Sequence, residues 1–212
     1  MTAWPLPALR LTVGPLVLRP MTEADLDVLG ALLSPDDEVN PGIPMPFGLP
    51  PREARAVLIR QQYYGHLAGW TPADWRLPML ITRDDEPLGY ADLEAAHFAV
   101  RRTVETSSWL AEQHRGHGFG KLARTALLAL AFDHLGAEVA ETEAWHDNAA
   151  SLGVSRALGY VDNGTTRHPR GGRADDMVRL RLDRERWVAA QRPPVQVSGL
   201  DACRHLFGAD LP

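Results

Sequence analysis

Gly116, Gly118 and Gly120 alternate directly ahead of a helix-forming run that continues to Phe132, with Arg115 and Lys121 at either end of the trio. Each glycine weakens a helix by about 1 kcal/mol relative to alanine, and a tight turn needs only one. A strand that enters a glycine-rich turn and then a helix N-terminus collects backbone N–H groups without intrahelical partners, together with the positive end of the helix dipole. That arrangement binds anions, and the two flanking cations point to a ligand that carries phosphate. Two familiar phosphate loops do not fit. A nucleoside-triphosphate loop needs a hydroxyl after its Gly-Lys pair, but Lys121 is followed by Leu122, and the position five before Gly120 is Arg115. A dinucleotide fingerprint needs glycine at 121 and a place after the first strand, whereas this loop lies past mid-chain. His114 and His117 flank the loop without a third ligand and are not read as a metal site.

A second polar group lies downstream in "HDNAASLGVSRALGY". Asp147 or Asn148 reads as a helix N-cap and Ser151 as a solvated hydroxyl. Asn148 and Ser151 are one turn apart, so both can face one side of the helix.

The elements that position these residues follow from hydrophobic period and turn chemistry. Residues 9–21 read as one or two short strands around a Gly-Pro turn. Residues 22–34 read as a helix opened by Thr22, with Leu26, Leu29, Leu32 and Leu33 on one stripe. Residues 35–51 hold six prolines in seventeen residues, so they form either a surface connection or a binding lid. A helix over 52–68 ends near Gly69. Two strands within 74–98 join at an Asp-Asp-Glu turn, and 103–112 is a strand that leads into the glycines. The helix after them places Phe119, Leu122, Ala123, Ala126, Leu127, Leu130 and Ala131 on one face and closes at Gly136. Then come a strand at 138–146, a helix at 147–159 and a hairpin at 160–183. The tail, 184–212, holds a short helix, a Pro-Pro break and a second short helix. The resulting class is α/β, a mixed twisted sheet of six to seven strands flanked by helices.

Composition narrows the function classes. With 212 residues, 45% of them hydrophobic, the chain can bury one core. A net charge of -5 argues against broad nucleic-acid or anionic-membrane binding. The lone Cys203 cannot form an internal disulfide and is read as buried or inert. No segment reaches the roughly 20 apolar residues of a membrane span, and the first residues lack a secretory pattern. The expectation is a cytoplasmic protein.

The pattern that the glycine loop does satisfy is R-x-x-G-x-G, met by Arg115, Gly118 and Gly120. With "SSWL" on the strand before it and "DNAAS…ALGY" after the next strand, the chain resembles the GNAT superfamily of acyl-CoA-dependent N-acyltransferases, and within it the RimJ/RimL-like branch. The resemblance covers residues 9–183, which implies an acyltransferase domain at 1–183. The tail at 184–212 stands outside it and either packs on the domain or mediates a homodimer. The resemblance implies that acetyl-CoA or another acyl-CoA is the co-substrate, with no metal. Backbone groups of Trp109, Leu110 and Ala111 would bond the pantetheine arm. Arg115, Gly116, His117, Gly118, Phe119, Gly120 and Lys121 would hold the pyrophosphate. Asn148 would contact pantetheine, and Ser151 would protonate the departing thiolate. Tyr160 matches the family's Gly-Phe/Tyr pair and is read as core.

The implied reaction is direct attack of a primary amine on the thioester. The acceptor is a protein N-terminus, a lysine or a small-molecule amine, met by "NPGIPMPFGLPP" and the second helix. A base must take the amine's proton, because an ammonium is not a nucleophile. Asn163 stands where certain relatives carry a glutamate, which leaves Glu94, Glu105, His97 and His146. Trp70 and Trp75 either wall an acceptor pocket or pack in the core. An arginine at the acyl end, drawn from Arg83, Arg101, Arg102, Arg167, Arg170 and Arg173, would admit succinyl. The alternative to an enzyme is an acyl-CoA-binding sensor or interaction module without turnover.

Overall fold

The computed structural model describes residues 4–34 and 48–210. Residues 35–47, which hold most of the proline-rich stretch expected on the acceptor side, lie outside the described residues. The strands are β1 (Arg10–Val13), β2 (Leu16–Pro20), β3 (Trp75–Arg83), β4 (Glu86–Ala95), β5 (Thr103–Leu110), β6 (Val139–Trp145), β7 (Val161–Arg170), β8 (Arg173–Asp183) and β9 (Gln196–Ser198). They form one sheet in the order β7-β8-β6-β5-β4-β3-β2-β1-β9. Every neighbouring pair is antiparallel except β5 with β6.

The described sheet therefore has nine strands where six to seven were expected. The N-terminal segment makes two strands, reversed at Gly14 with φ of 54°. The tail adds β9, which pairs with β1 through Leu11 and Val197. Three residues are too few to show a period of two, so β9 has no sequence signature beyond its distance from Pro194.

The helices are α1 (Asp25–Leu32), α2 (Pro51–Ala68), α3 (Phe98–Arg101), α4 (Phe119–Ala129), α5 (Ala149–Ala157), α6 (Arg184–Ala189) and α7 (Leu200–Cys203). α1 starts three residues later than Thr22. The Thr22 hydroxyl donates to Asp25 at 2.8 Å instead of accepting from the helix, and the Thr22 backbone N–H donates to the same carboxylate at 2.7 Å. Arg19 from β2 holds both Asp25 oxygens at 2.7 and 2.6 Å, which ties the helix start to the sheet. α3 was not anticipated. It is one turn long, held by buried Phe98, and left-handed residues His97 and Arg102 close it at both ends.

α4 is the central helix. Residues Ala123 to Leu130 are all buried, and the helix packs on β1, β2, β4 and β5. A helix apolar around most of its circumference needs such cover. Its last turn widens into a π-turn at Leu130–His134 before Gly136.

The tail lies against this core. Trp187 stacks on Phe132 at 5.5 Å and donates to Asp133. Trp70 and Trp75 donate to the carbonyls of Leu206 and Phe207 at 2.9 and 3.1 Å. These two tryptophans thus sit in an aromatic cluster with Phe207, away from the cavity described below. Cys203 is fully buried, and burial pushes its thiol up to about 11.

Candidate functional site

The parallel pair β5–β6 is where the sheet opens. The two strands pair only at Thr103, Val104 and Glu105 with Val139, Ala140 and Glu141, although β5 runs on to Leu110 and β6 to Trp145. The hydroxyl of Thr142 donates to the Thr106 carbonyl at 2.8 Å where the strands part. On its other side β5 stays in register with β4, from Glu94 opposite Glu105 to Gly89 opposite Leu110. The Ala111 N–H continues that edge by donating to the Leu88 carbonyl at 2.9 Å. Alternation along the strand then turns the backbone groups of Thr106, Ser108 and Leu110 toward the gap. The Leu110 N–H and the Ser108 backbone can therefore offer bonds to a ligand there, whereas the Trp109 backbone faces β4 and the Ala111 N–H and Leu110 carbonyl are already engaged.

Gly89 makes this close crossing sterically feasible. A Cβ at that position would lie 2.1 Å from the Trp109 carbonyl oxygen and 2.8 Å from the Leu110 Cα. The signal in the sequence was a glycine inside a strand, which marks a close backbone approach.

At the end of β5 the chain turns through Glu112–His114 into the glycine loop. Gly116 and Gly118 both have φ of 79°, a region that side-chain-bearing residues occupy at a cost. The first rung of α4 is the Leu122 N–H donating to the Gly118 carbonyl at 3.1 Å. Ahead of it, the N–H groups of residues 116–121 donate to no carbonyl among the described residues. Arg115 donates to the Leu110 carbonyl at 2.8 Å and lies over the Trp109 ring. His117 stacks on Phe119, which also faces Arg83. Lys121 is exposed.

α5 forms the other wall. The Asn148 side-chain oxygen accepts the Ser151 N–H at 3.0 Å, so it is the N-cap. Its amide nitrogen donates to no group among the described residues, and both Asn148 and Ser151 line a cavity of about 300 Å³ with Trp109. Tyr160 is buried, its hydroxyl 3.0 Å from that of Thr106.

The far wall of the cavity holds the second helix, Glu94 and Glu105, which the sequence points to, together with Arg55, Arg76, Asp92 and Glu143, which it does not. α2 contributes Arg55, Leu58, Ile59 and Gln62, and the strands contribute Arg76, Asp92, Glu94, Glu105 and Glu143. Arg76 bridges Asp92 at 3.1 Å and Glu94 at 3.2 Å, and Ser107 donates to Asp92 at 3.1 Å. Burial opposes the Arg76 charge, but the two carboxylates outweigh it and raise its pKa. Burial raises the Glu94 pKa against the pull of Arg76. Burial also raises Glu105, helped by Glu141 and Glu143. The Glu105 carboxylate makes no hydrogen bond or ion pair among the described residues. Behind Asp92 a smaller pocket holds His66, whose burial lowers its pKa to about 4.

The expected residues divide accordingly. Trp109, Asn148 and Ser151 share the cavity wall, while residues 110–121 do not line it. Of the candidate bases, Glu94 and Glu105 line the cavity and His97 and His146 do not. His97 caps α3, and the Nδ1 of His146 lies 3.2 Å from the Asp176 carbonyl. None of Arg83, Arg101, Arg102, Arg167, Arg170 and Arg173 lines the cavity; the arginines there are Arg55 and Arg76. Among the described residues, no helix is long and apolar enough to cross a membrane.

Comparison with known proteins places this geometry. The family described as "Acetyltransferase (GNAT) domain" matches residues 15–161. Mycobacterium smegmatis RimJ in complex with CoA-disulfide superposes with a TM-score of 0.68 at 19% identity, over 89% of this chain and 97% of that one. Spermidine N-acetyltransferase from Vibrio cholerae, in complex with CoA and spermine, superposes with a TM-score of 0.64 at 16% identity, over 82% of this chain and 98% of that one. RimL, the ribosomal L7/L12 alpha-N-protein acetyltransferase, gives a TM-score of 0.65 at 18% identity, over 82% and 93%.

Proposed function

The chain belongs to the GNAT acetyltransferase family, and from that membership we propose that it moves an acetyl group from acetyl-CoA to a primary amine. In this reading the thioester lies in the gap between β5 and β6, and the amine enters the cavity beside α2. The observation that carries the reading is the opening of β5 from β6 above a row of unpaired N–H groups at residues 116–121. The row suits a pyrophosphate, and Arg115 and Lys121 complement its charge. Leu110 and Ser108 suit the amides of the pantetheine arm, and the Asn148 amide suits its outer carbonyl.

Glu105 is the base in this proposal. It faces the cavity without an ion-pair partner, and its raised pKa brings it nearer to a working proton acceptor. Glu94 is held by Arg76 and is assigned to acceptor binding. The ammonium gives one proton to Glu105, and the free amine attacks the thioester carbon. A C–N bond forms, the attacking nitrogen gives up its second proton to solvent, the C–S bond breaks, and its electron pair leaves on sulfur. The Ser151 hydroxyl gives the sulfur a proton and is restored from solvent. Most of the rate comes from holding amine and thioester together and from backbone N–H groups facing the carbonyl oxygen.

The acceptor is a cationic amine. Asp92, Glu94, Glu105 and Glu143 line the cavity against Arg55 and Arg76. The test is a thermal-shift titration with CoA, acetyl-CoA and succinyl-CoA, with NAD and ATP as controls, followed by an amine screen for CoA release. A ligand at 100 times its dissociation constant adds about 2.7 kcal/mol of stability. A shift confined to the CoA series supports the reading; no shift with any of them overturns it.

A further inference from the structure

One charged group under the cleft has no counter-charge. Arg124, on the second turn of α4, is 2% exposed. Its guanidinium donates to the Ser155 hydroxyl and to the Thr106 hydroxyl, each at 2.9 Å. It also lies 5.2 Å from the centre of the Tyr160 ring. Its Nε is buried without a hydrogen-bond partner, and among the described residues it forms no ion pair. The three side chains that meet it, Ser155, Thr106 and Tyr160, are neutral. An isolated buried cation is among the more costly features a fold can carry, and removing solvent strengthens its field.

The three partners come from the two sides of the cleft, β5 and the α5 segment. Thr106 is the residue of β5 at which β6 departs. Ser155 lies on α5, and its hydroxyl donates to the Ser151 carbonyl at 3.0 Å. Tyr160 follows α5 and shares the Thr106 hydroxyl. Thr106 and Ser151 both line the cavity. The buried charge is therefore one hydrogen bond behind one cleft residue and two behind the other.

We propose that Arg124 is the electrostatic positioning residue of acyl transfer: it locks Thr106 and the Ser151 turn in place and supplies the positive charge that offsets the electron pair arriving on the sulfur. The proposal rests on the acyl-CoA reading of the cleft. The step is the one already balanced above: the C–S bond breaks, its electron pair moves to sulfur, and Ser151 supplies the proton. Arg124 exchanges no proton and does not touch the substrate. The charged groups that face the same cleft are Asp92, Glu94, Glu105 and Glu143 from the strands, with Arg55 of α2 and Arg76 of β3. Those carboxylates raise the cost of a thiolate, and Arg124 opposes them from the other face of the sheet.

The test measures the thiol of CoA bound to the full chain, titrated by the ultraviolet difference absorbance of its thiolate against free CoA in the same buffer. In the wild type the bound thiol titrates below free CoA. Arg124→Met raises it by about one pH unit and lowers kcat with acetyl-CoA by at least about tenfold, while CoA affinity stays within about threefold. Arg124→Lys, which keeps the charge and loses the fork, recovers most of the thiol shift and less of kcat. Loss of CoA affinity with an unmoved thiol would make Arg124 a structural residue and overturn the proposal. If Arg124→Met does not fold, the wild-type titration decides alone: a bound thiol at or above the free value overturns it. Failure of the wild type to bind CoA at all would instead overturn the acyl-CoA reading.

Discussion

Glu94 and Glu105 stand directly opposite each other across the β4–β5 pair, and Arg76 is 3.2 Å from the first while the second has no ion pair among the described residues. Two carboxyls of one register position thus have different tasks open to them. Glu105→Gln should lower kcat by about 10²–10⁴, the usual share of a general base, with acetyl-CoA affinity unchanged. In the wild type, kcat/KM should fall as pH drops through the raised Glu105 pKa. Steady-state rates over a pH series check both.

The same substitution should stabilise the fold. A carboxyl whose folded pKa lies above its unfolded value holds its proton more tightly when folded. Its contribution is most favourable at low pH and is lost as pH rises through the folded pKa. Glu105→Gln should therefore raise Tm at neutral pH, and the gain should vanish below the ordinary glutamate pKa of about 4.3. A site held at some cost in stability behaves in this way.

Gly89→Ala and Gly116→Ala separate two uses of glycine. At Gly89 a methyl meets the Trp109 carbonyl at 2.1 Å, so the β5 crossing must give way at about 3 kcal/mol, near the top of the overpacking range. CoA binding should be lost with it. At Gly116 nothing lies within 4 Å, and the cost is the positive φ alone, about 1 kcal/mol. Denaturant titration gives both values.

Gly118→Asp tests the anion loop directly. Its φ of 79° is one that aspartate tolerates better than most residues, and no atom lies within 4 Å of the added Cβ. The fold should survive with a loss of about 1 kcal/mol, while a carboxylate among the free N–H groups should abolish CoA binding. Calorimetric binding that matches the wild type would contradict the pyrophosphate assignment.

Asp25→Asn should weaken the join between β2 and α1. Burial alone would raise the Asp25 pKa, but the hydrogen bonds from Arg19 and Thr22 and the Arg19 charge outweigh it and lower the value. The stabilisation is present above the ordinary aspartate pKa of about 3.9 and is lost as pH falls through the lower folded value. Because Arg19 keeps some solvent contact, the expected loss is about 2 kcal/mol at pH 7, below the range for fully buried pairs. The gap between variant and wild type should close in acid.

The parts of the site carried by local order were legible in the sequence. The glycine loop with Arg115 and the Asn148–Ser151 turn each lie within a few consecutive residues, where spacing alone fixes which groups meet. Of the acceptor wall, the second helix, Glu94 and Glu105 could be named, but not which groups they meet. Arg76, Asp92, Glu94, Glu105 and Ser107 come from three strands and meet only through registers such as Arg76 with Glu94. No one-dimensional pattern contains that pairing. Arg124 was hidden differently, as one of two charges, with Lys121, on a largely apolar helix, where snorkelling to solvent is the ordinary expectation. α3 and β9, four and three residues long, are too short for a hydrophobic pattern to repeat.

The pairing of β9 with β1 also bears on how the molecule is assembled. Arg10 lies beside Ser198 and Thr12 beside Gln196, so the first strand is enclosed by a segment about as remote from it in the chain as this sequence allows. Contacts of that separation are slow to close, because the intervening chain must lose its freedom first. The hairpins β1–β2, β3–β4 and β7–β8 can form early, each from adjacent residues. The far edge of the sheet then closes last, and until it does, β1 is an open strand offered to any other chain in reach.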